Sequence, residues 1–111
     1  MSDAPHQAVD FLIKNAPRYG KAKGHRIHIE EFRKSKKSLL MKEALKQGFE
    51  AANAQEREAY ANAEYIELIS GLSAAVEEEE TLRWQMEAAK MRVEIWRTEQ
   101  ANNRATDRAA Q

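Results

Sequence analysis

Two histidines and a run of four glutamates are the residues in this chain whose spacing could support site chemistry. His25 and His28 are three positions apart, so they would share one face of a helix as the first two ligands of a metal site. No third and fourth ligand accompanies them, and the sequence predicts no metal site. The run 77-EEEE-80 could bind a cation or move protons, but no nucleophile, histidine–carboxylate pair or phosphate-binding loop stands with it. We therefore expect a protein that is not an enzyme and needs no cofactor.

Basic residues are the second candidate for chemistry, because they are sorted along a chain that has no net charge. The chain contains 18 Lys+Arg and 18 Asp+Glu. Residues 14–46 hold eleven basic and three acidic residues, whereas residues 47–111 hold seven and thirteen. A segment this basic could neutralise the phosphates of a nucleic acid and release their counterions.

Two interpretations of the charge pattern remain open from the sequence. In the first, the basic segment packs against the acidic last helix, and 77-EEEE-80 neutralises 33-RKSKK-37 through pairs that set the register. In the second, the basic segment is exposed and binds phosphates, while rings among its cations stack on unpaired bases. These rings belong to Tyr19, His25, His28 and Phe32.

The elements that position these residues are predicted to be helices, because glycine (4) and proline (2) are scarce. We expect a short N-terminal helix within 1–17, ended by Pro17, and a basic middle helix within 18–48, ended near Gly48. A long last helix is expected within 54–108. Residues 54–61 are either a separate short helix or its first turns. Asn53 with Glu56 forms a predicted capping box, and Asn62 offers a second N-cap.

The last helix carries two apolar rows with a period of seven residues. One row is Tyr65, Leu72, Glu79, Met86 and Val93, and the other is Leu68, Ala75, Leu82, Ala89 and Trp96. Such a pattern predicts a coiled-coil seam. Glu79 would be buried in it and would need a partner, because an unpaired buried carboxylate costs several kcal/mol. The middle helix is too short to cover the whole seam, so we expect part of the seam to meet another copy of the chain or to stay exposed.

The broad class is a single all-α domain over 1–111, with a short N-terminal helix, a basic middle helix and a long heptad helix in a hairpin. The absence of cysteine favours a reducing cytoplasm. The first residues lack a basic leader before an apolar run, and no stretch approaches 18 apolar residues. We therefore expect neither a secretory signal nor a membrane span.

Three segments together resemble a known group of proteins: 32-FRKSKKSLLM-41, 56-EREAYANAEYIELISGL-72 and 82-LRWQMEAAKMRVEIWRTEQANNR-104. They resemble small, all-helical phage and prophage proteins encoded among recombination and replication genes. More distantly, the layout is similar to the UvsY-type recombination mediators. The shared features are a lysine-rich helix, a turn before the long helix, and a tryptophan-containing pattern near its end.

The resemblance implies a homo-oligomer that binds single-stranded DNA in the bacterial host cytoplasm. It would help to load a phage recombinase or annealing protein in place of a single-strand-binding protein. The implied DNA contacts are Lys21, Lys23, Arg26, Arg33, Lys34, Lys36 and Lys37. The implied oligomerisation contacts are Leu72, Leu82, Met86, Val93 and Trp96. The alternative is a non-enzymatic helical oligomerisation or interaction protein that binds no nucleic acid.

Overall fold

Three α-helices make up the part of the chain that the structure describes, residues 4–110 of this computed structural model. Helix α1 spans Ala4–Lys46, α2 spans Ala52–Ala61 and α3 spans Ala63–Ala110, and no strand occurs within the described range. The predicted all-α class is therefore confirmed.

The chain divides into two compact units. Unit 1 comprises Met1–Gly20 and Glu80–Gln111, so it pairs the first part of α1 with the last part of α3. Unit 2 comprises Lys21–Glu79, which holds the rest of α1, all of α2 and the first part of α3. Unit 2 is therefore a helical hairpin in itself, as predicted for the basic and heptad helices.

Helix α1 is one uninterrupted helix of 43 residues, so the predicted division into helices within 1–17 and 18–48 is wrong. Pro17 lies inside it, although proline removes one backbone hydrogen bond and normally ends a helix. Both Pro17 and Ile13, whose carbonyl loses its partner, are exposed, so water can bond that carbonyl. Buried positions on both sides of Pro17 anchor the helix, and this packing overrides the local preference for a break.

The seam predicted from the heptads of α3 is confirmed, since every position of its two rows is buried or half-buried. Helix α1 supplies a matching row that sequence analysis missed, because its members are mostly small or polar. They are Ala8, Asn15, Ala22 and Ile29, each 9% exposed or less. The first two lie in unit 1 with the last part of α3, which explains how a single chain covers that part of the seam.

The core is a thin seam and not a thick globular interior. The most buried of its hydrophobic residues is the small Ala59, at 1% exposure, and six of the nine buried hydrophobic residues are alanines. Asn15, buried in the same seam, is satisfied locally: its Nδ2 donates to the carbonyl of Phe11 at 2.9 Å. Small side chains let helices approach closely but bury little apolar area. The few larger seam residues therefore contribute a large share of the stability.

The turn between α1 and α3 uses two predicted caps and lacks a third. Gly48 adopts φ +106° after the end of α1, and the amide of Phe49 donates to the carbonyl of Ala44 at 3.1 Å, as in a glycine-capped helix end. Asn62 caps α3, since its Oδ1 accepts from the amide of Glu64 at 2.8 Å. The capping box predicted at Asn53 is wrong, because α2 begins at Ala52 and places Asn53 inside the helix.

Candidate nucleic-acid interface

The most buried carboxylate of unit 2 is held by an arginine from the basic segment. Glu79 is 5% exposed, and Arg26 Nε lies 2.6 Å from its Oε2 while Arg26 Nη2 lies 2.9 Å from its Oε1. Arg26 Nη1 also donates to Glu30 at 2.8 Å. Hydrogen bonds to Glu79 and then to Glu30 raise the pKa of Arg26 above its ordinary value. The predicted need of Glu79 for a partner is confirmed, and Arg26 faces inward, not toward a ligand.

Two lysines of the basic segment are likewise paired with glutamates of the same unit. Lys36 Nζ lies 2.8 Å from Glu64 Oε2, and this hydrogen bond holds the pKa of Glu64 below its usual range. Lys37 Nζ lies 3.5 Å from Glu56 Oε1 and 4.8 Å from the centre of the Tyr60 ring. Its hydrogen bonding with Tyr60, and then the charge of Glu56, raise the pKa of Lys37.

The structure therefore separates the seven predicted DNA contacts. Arg26, Lys36 and Lys37 bind glutamates of α2 and α3, and Lys34 binds Glu31 of its own helix at 3.3 Å. The remaining three have no carboxylate partner within residues 4–110: Lys21 and Lys23 are exposed, and Arg33 is half-buried.

Helical register explains why these cations turn inward. Arg26 and Arg33 are seven residues apart, and Lys36 is seven residues after the buried Ile29, so all three occupy seam rows of α1. The predicted pairing of 77-EEEE-80 with 33-RKSKK-37 is wrong, since the pairs reach Glu79 from Arg26 and Glu64 and Glu56 from the lysines. The basic segment of α1 nevertheless does form ion pairs with glutamates of α2 and α3.

A different face of α1 remains open to solvent in unit 2, and we call it the cationic row. Its members alternate at spacings of four and three residues, which keeps them on one side of the helix. All eight are exposed: Lys21, His25, His28, Phe32, Ser35, Leu39, Lys42 and Lys46. The row contains no carboxylate, and no carboxylate within residues 4–110 forms an ion pair with its lysines.

An exposed ring lies in the middle of the cationic row. Phe32 is 43% exposed, and its ring lies 6.2 Å from that of His28 with 12° between the ring planes. The two rings therefore share one exposed row with lysines, and rings together with cations are the combination that single-strand binders use for bases and phosphates. Sequence analysis named both rings and Lys21, but it did not single out Lys42 and Lys46, because it had not fixed the register of α1.

Folding balances the charge that the sequence separates. Unit 2 contains ten Lys+Arg and eleven Asp+Glu, although its α1 segment is strongly basic. The cationic row is thus a local feature of a unit with almost no net charge. The affinity of the cationic row for an anion therefore depends on the nearby lysines and not on the net charge of the unit.

The predicted oligomerisation contacts are occupied within the chain. Leu82 is 5% exposed, and Leu72, Met86, Val93 and Trp96 are half-buried. This burial arises within one chain because α1 is longer than predicted, and the assignment of these residues to contacts between copies stays a prediction. The large apolar side chains that stay exposed on α3 in unit 1 are Trp84 at 62%, Met91 at 64% and Ile95 at 57%.

Within residues 4–110, no group of three His, Cys, Asp or Glu side chains converges as a metal site would require. In the same range no helix combines the length and apolar character needed to cross a membrane. The chain matches no protein-family model, no curated protein and no solved structure. The resemblance to recombination accessories therefore stays a prediction.

Proposed function

We propose that this protein binds single-stranded DNA through the cationic row of α1. The observation that carries the proposal is the row itself: three lysines that pair with no carboxylate among the described residues and two exposed rings in one row of α1, which the exposed Glu43 borders three residues before Lys46. The lysines neutralise phosphates, and Phe32 with His28 stacks on an unpaired base. The more specific role of loading a recombinase or annealing protein rests on the resemblance alone.

The salt dependence of binding measures how many cations contact phosphate. For a single strand, the slope of log K against log salt is about −0.7 for each neutralised phosphate, so three lysines give a slope of about −2. Changing Lys42 and Lys46 to glutamine should reduce the slope to about −0.7. The assay is a titration of a labelled single-stranded oligonucleotide at several salt concentrations.

The matched control removes a lysine that is exposed but lies outside the row. Lys90 forms an ion pair with Glu87 at 2.9 Å in unit 1, so Lys90→Gln changes the net charge without touching the row. We expect its slope to equal that of the wild type. The proposal would be refuted if the wild type did not bind at low salt, or if Lys90→Gln lowered the slope as much for each lysine removed as the double change at Lys42 and Lys46.

Substitutions at Lys36 and Lys37 are poor tests of the same idea. Reversing their charge breaks the pairs with Glu64 and Glu56, so lost binding would also report damage to unit 2. Phe32→Ala is a better second variant, because the ring is 43% exposed and makes little contribution to the seam. Loss of one base stack should weaken binding by about 5-fold to 100-fold.

The second candidate function is that of a helical protein that associates with other copies of itself. The observation in its favour is the exposed row of Trp84, Met91 and Ile95 on α3, which is large and apolar for a charged surface. Light scattering of the wild type and of Trp84→Ala tests it. Association that Trp84→Ala abolishes would support this function, and a wild-type monomer at all concentrations would exclude it.

A further inference from the structure

A groove in unit 1 combines an aromatic wall, a floor of small side chains and an unpaired guanidinium. It encloses about 320 Å³ between α1 and α3. Ala8 and Ala89 form its buried floor, at 4% and 6% exposure. Phe11 lines it from α1, while Gln85 and Arg92 line it from α3. The alanines leave open the space that larger seam residues fill elsewhere.

The electrostatics of the groove favour an anionic ligand with a flat apolar part. No carboxylate lines it, and Arg92 forms no ion pair with any carboxylate of the described chain. Lys14 in the same unit is also exposed and without a carboxylate partner among residues 4–110. An aromatic wall binds the face of a ring, side-chain amides bind the polar edge of that ring, and a guanidinium binds phosphate.

We propose that this groove takes one unstacked nucleobase of a bound single strand, with Arg92 holding the adjoining phosphate. The base lies against Phe11, above the alanine floor, and its edge bonds to Gln85. This inference rests on the proposed function, because it assumes that a single strand reaches the protein. It adds a base-binding site, in unit 1, to the phosphate-binding row of unit 2.

The test compares two ligands that differ only in their bases. One is a labelled oligothymidylate, and the other is an oligonucleotide of equal length whose residues are abasic. The wild type should bind the first more tightly. Phe11→Leu keeps an apolar side chain but removes the ring, and Gln85→Ala changes an exposed residue that contributes nothing to the seam. The control is Ile13→Ala, which removes a 68% exposed apolar side chain that does not line the groove.

The expected result is a loss confined to the ligand that has bases. Phe11→Leu should weaken oligothymidylate binding by about 5-fold or more and leave binding of the abasic ligand unchanged. Gln85→Ala should also weaken oligothymidylate binding and spare the abasic ligand. Ile13→Ala should affect the binding of neither ligand. If both groove variants bind both ligands as the wild type does, or lose both ligands to the same extent, the groove proposal is overturned while the cationic row stands. If the wild type binds both ligands equally, neither the groove nor the rings of the cationic row stack on a base. If the wild type binds neither ligand at low salt, the proposed function itself fails.

Discussion

Replacing Leu82 with alanine tests whether the seam closes within one chain. Leu82 is 5% exposed and occupies the centre of the heptad rows, beside alanines that cannot move to fill a cavity. Leucine-to-alanine changes in protein cores cost about 2–5 kcal/mol. Because Leu82 keeps 5% of its surface exposed in a thin seam of mostly small side chains, the lower part of that range applies, and we expect a loss of about 2–3 kcal/mol.

Thermal unfolding followed by circular dichroism measures this loss. For a domain near 100 residues, each kcal/mol shifts the melting temperature by about 4–8 °C, so Leu82→Ala should melt roughly 8–24 °C below the wild type. Trp84→Ala, which removes a larger side chain that is 62% exposed, should change stability by no more than about 0.5 kcal/mol. Comparing the two variants distinguishes the effect of burial on stability from the effect of side-chain size.

Repeating the melts over a wide range of protein concentration distinguishes the two possible origins of the burial. A seam closed within one chain gives a melting temperature that does not depend on concentration, whereas a seam shared between copies gives one that rises with it. We expect no dependence in Trp84→Ala, which lacks the exposed tryptophan but keeps the seam. A melting temperature that rises with concentration in Trp84→Ala and loses this dependence in Leu82→Ala would refute the intramolecular seam.

Three further outcomes follow from the helix interior, the turn and a surface ion pair. Pro17→Ala should raise stability by about 2 kcal/mol in a chemical denaturation series, because the proline penalty of about 3 kcal/mol exceeds the roughly 1 kcal/mol it contributes by restricting the unfolded chain. Gly48→Ala should lower the stability of the protein by about 1 kcal/mol or more, because the φ of Gly48 is +106°. Gly20→Ala, within α1, should raise the stability by about 1 kcal/mol. Equal effects of the two changes would contradict the backbone conformation of Gly48. Because Lys36 lowers the pKa of Glu64, the stability that this pair provides is present above the ordinary glutamate pKa and is lost as the pH falls through the lowered value. Lys36→Met should therefore lose less stability than the wild type between pH 7 and pH 3, measured by melting temperature.

Local signals in the sequence predicted the ends of the helices well where a cap was present. Gly48 and Asn62 both act as predicted, because the positive φ of one and the side-chain oxygen of the other serve the backbone directly. The break predicted at Pro17 failed for the opposite reason. Its effect depends on what packs on either side of it, and this is decided by residues far away in the chain.

The sequence predicted the type of candidate site and some of its members. The sequence identified a basic segment with rings among its cations, and the structure places one ring pair, His28 and Phe32, on an exposed face. It could not separate Arg26 from Lys42, because both are cations of the same segment. Only their register relative to the seam makes the first bind Glu79 and leaves the second in solvent.

The amino-acid sequence by itself determined the all-α class and the seam rows of α3, because helix propensity and a period of seven residues are local properties of the chain. The tertiary structure decided which cations stay available and what covers the seam. These depend on the antiparallel alignment of α1 with α3 in each unit, which pairs residues such as Arg26 and Glu79 across 53 positions of sequence. No local pattern encodes that distance, so the charge that the sequence separates is balanced only when the chain folds.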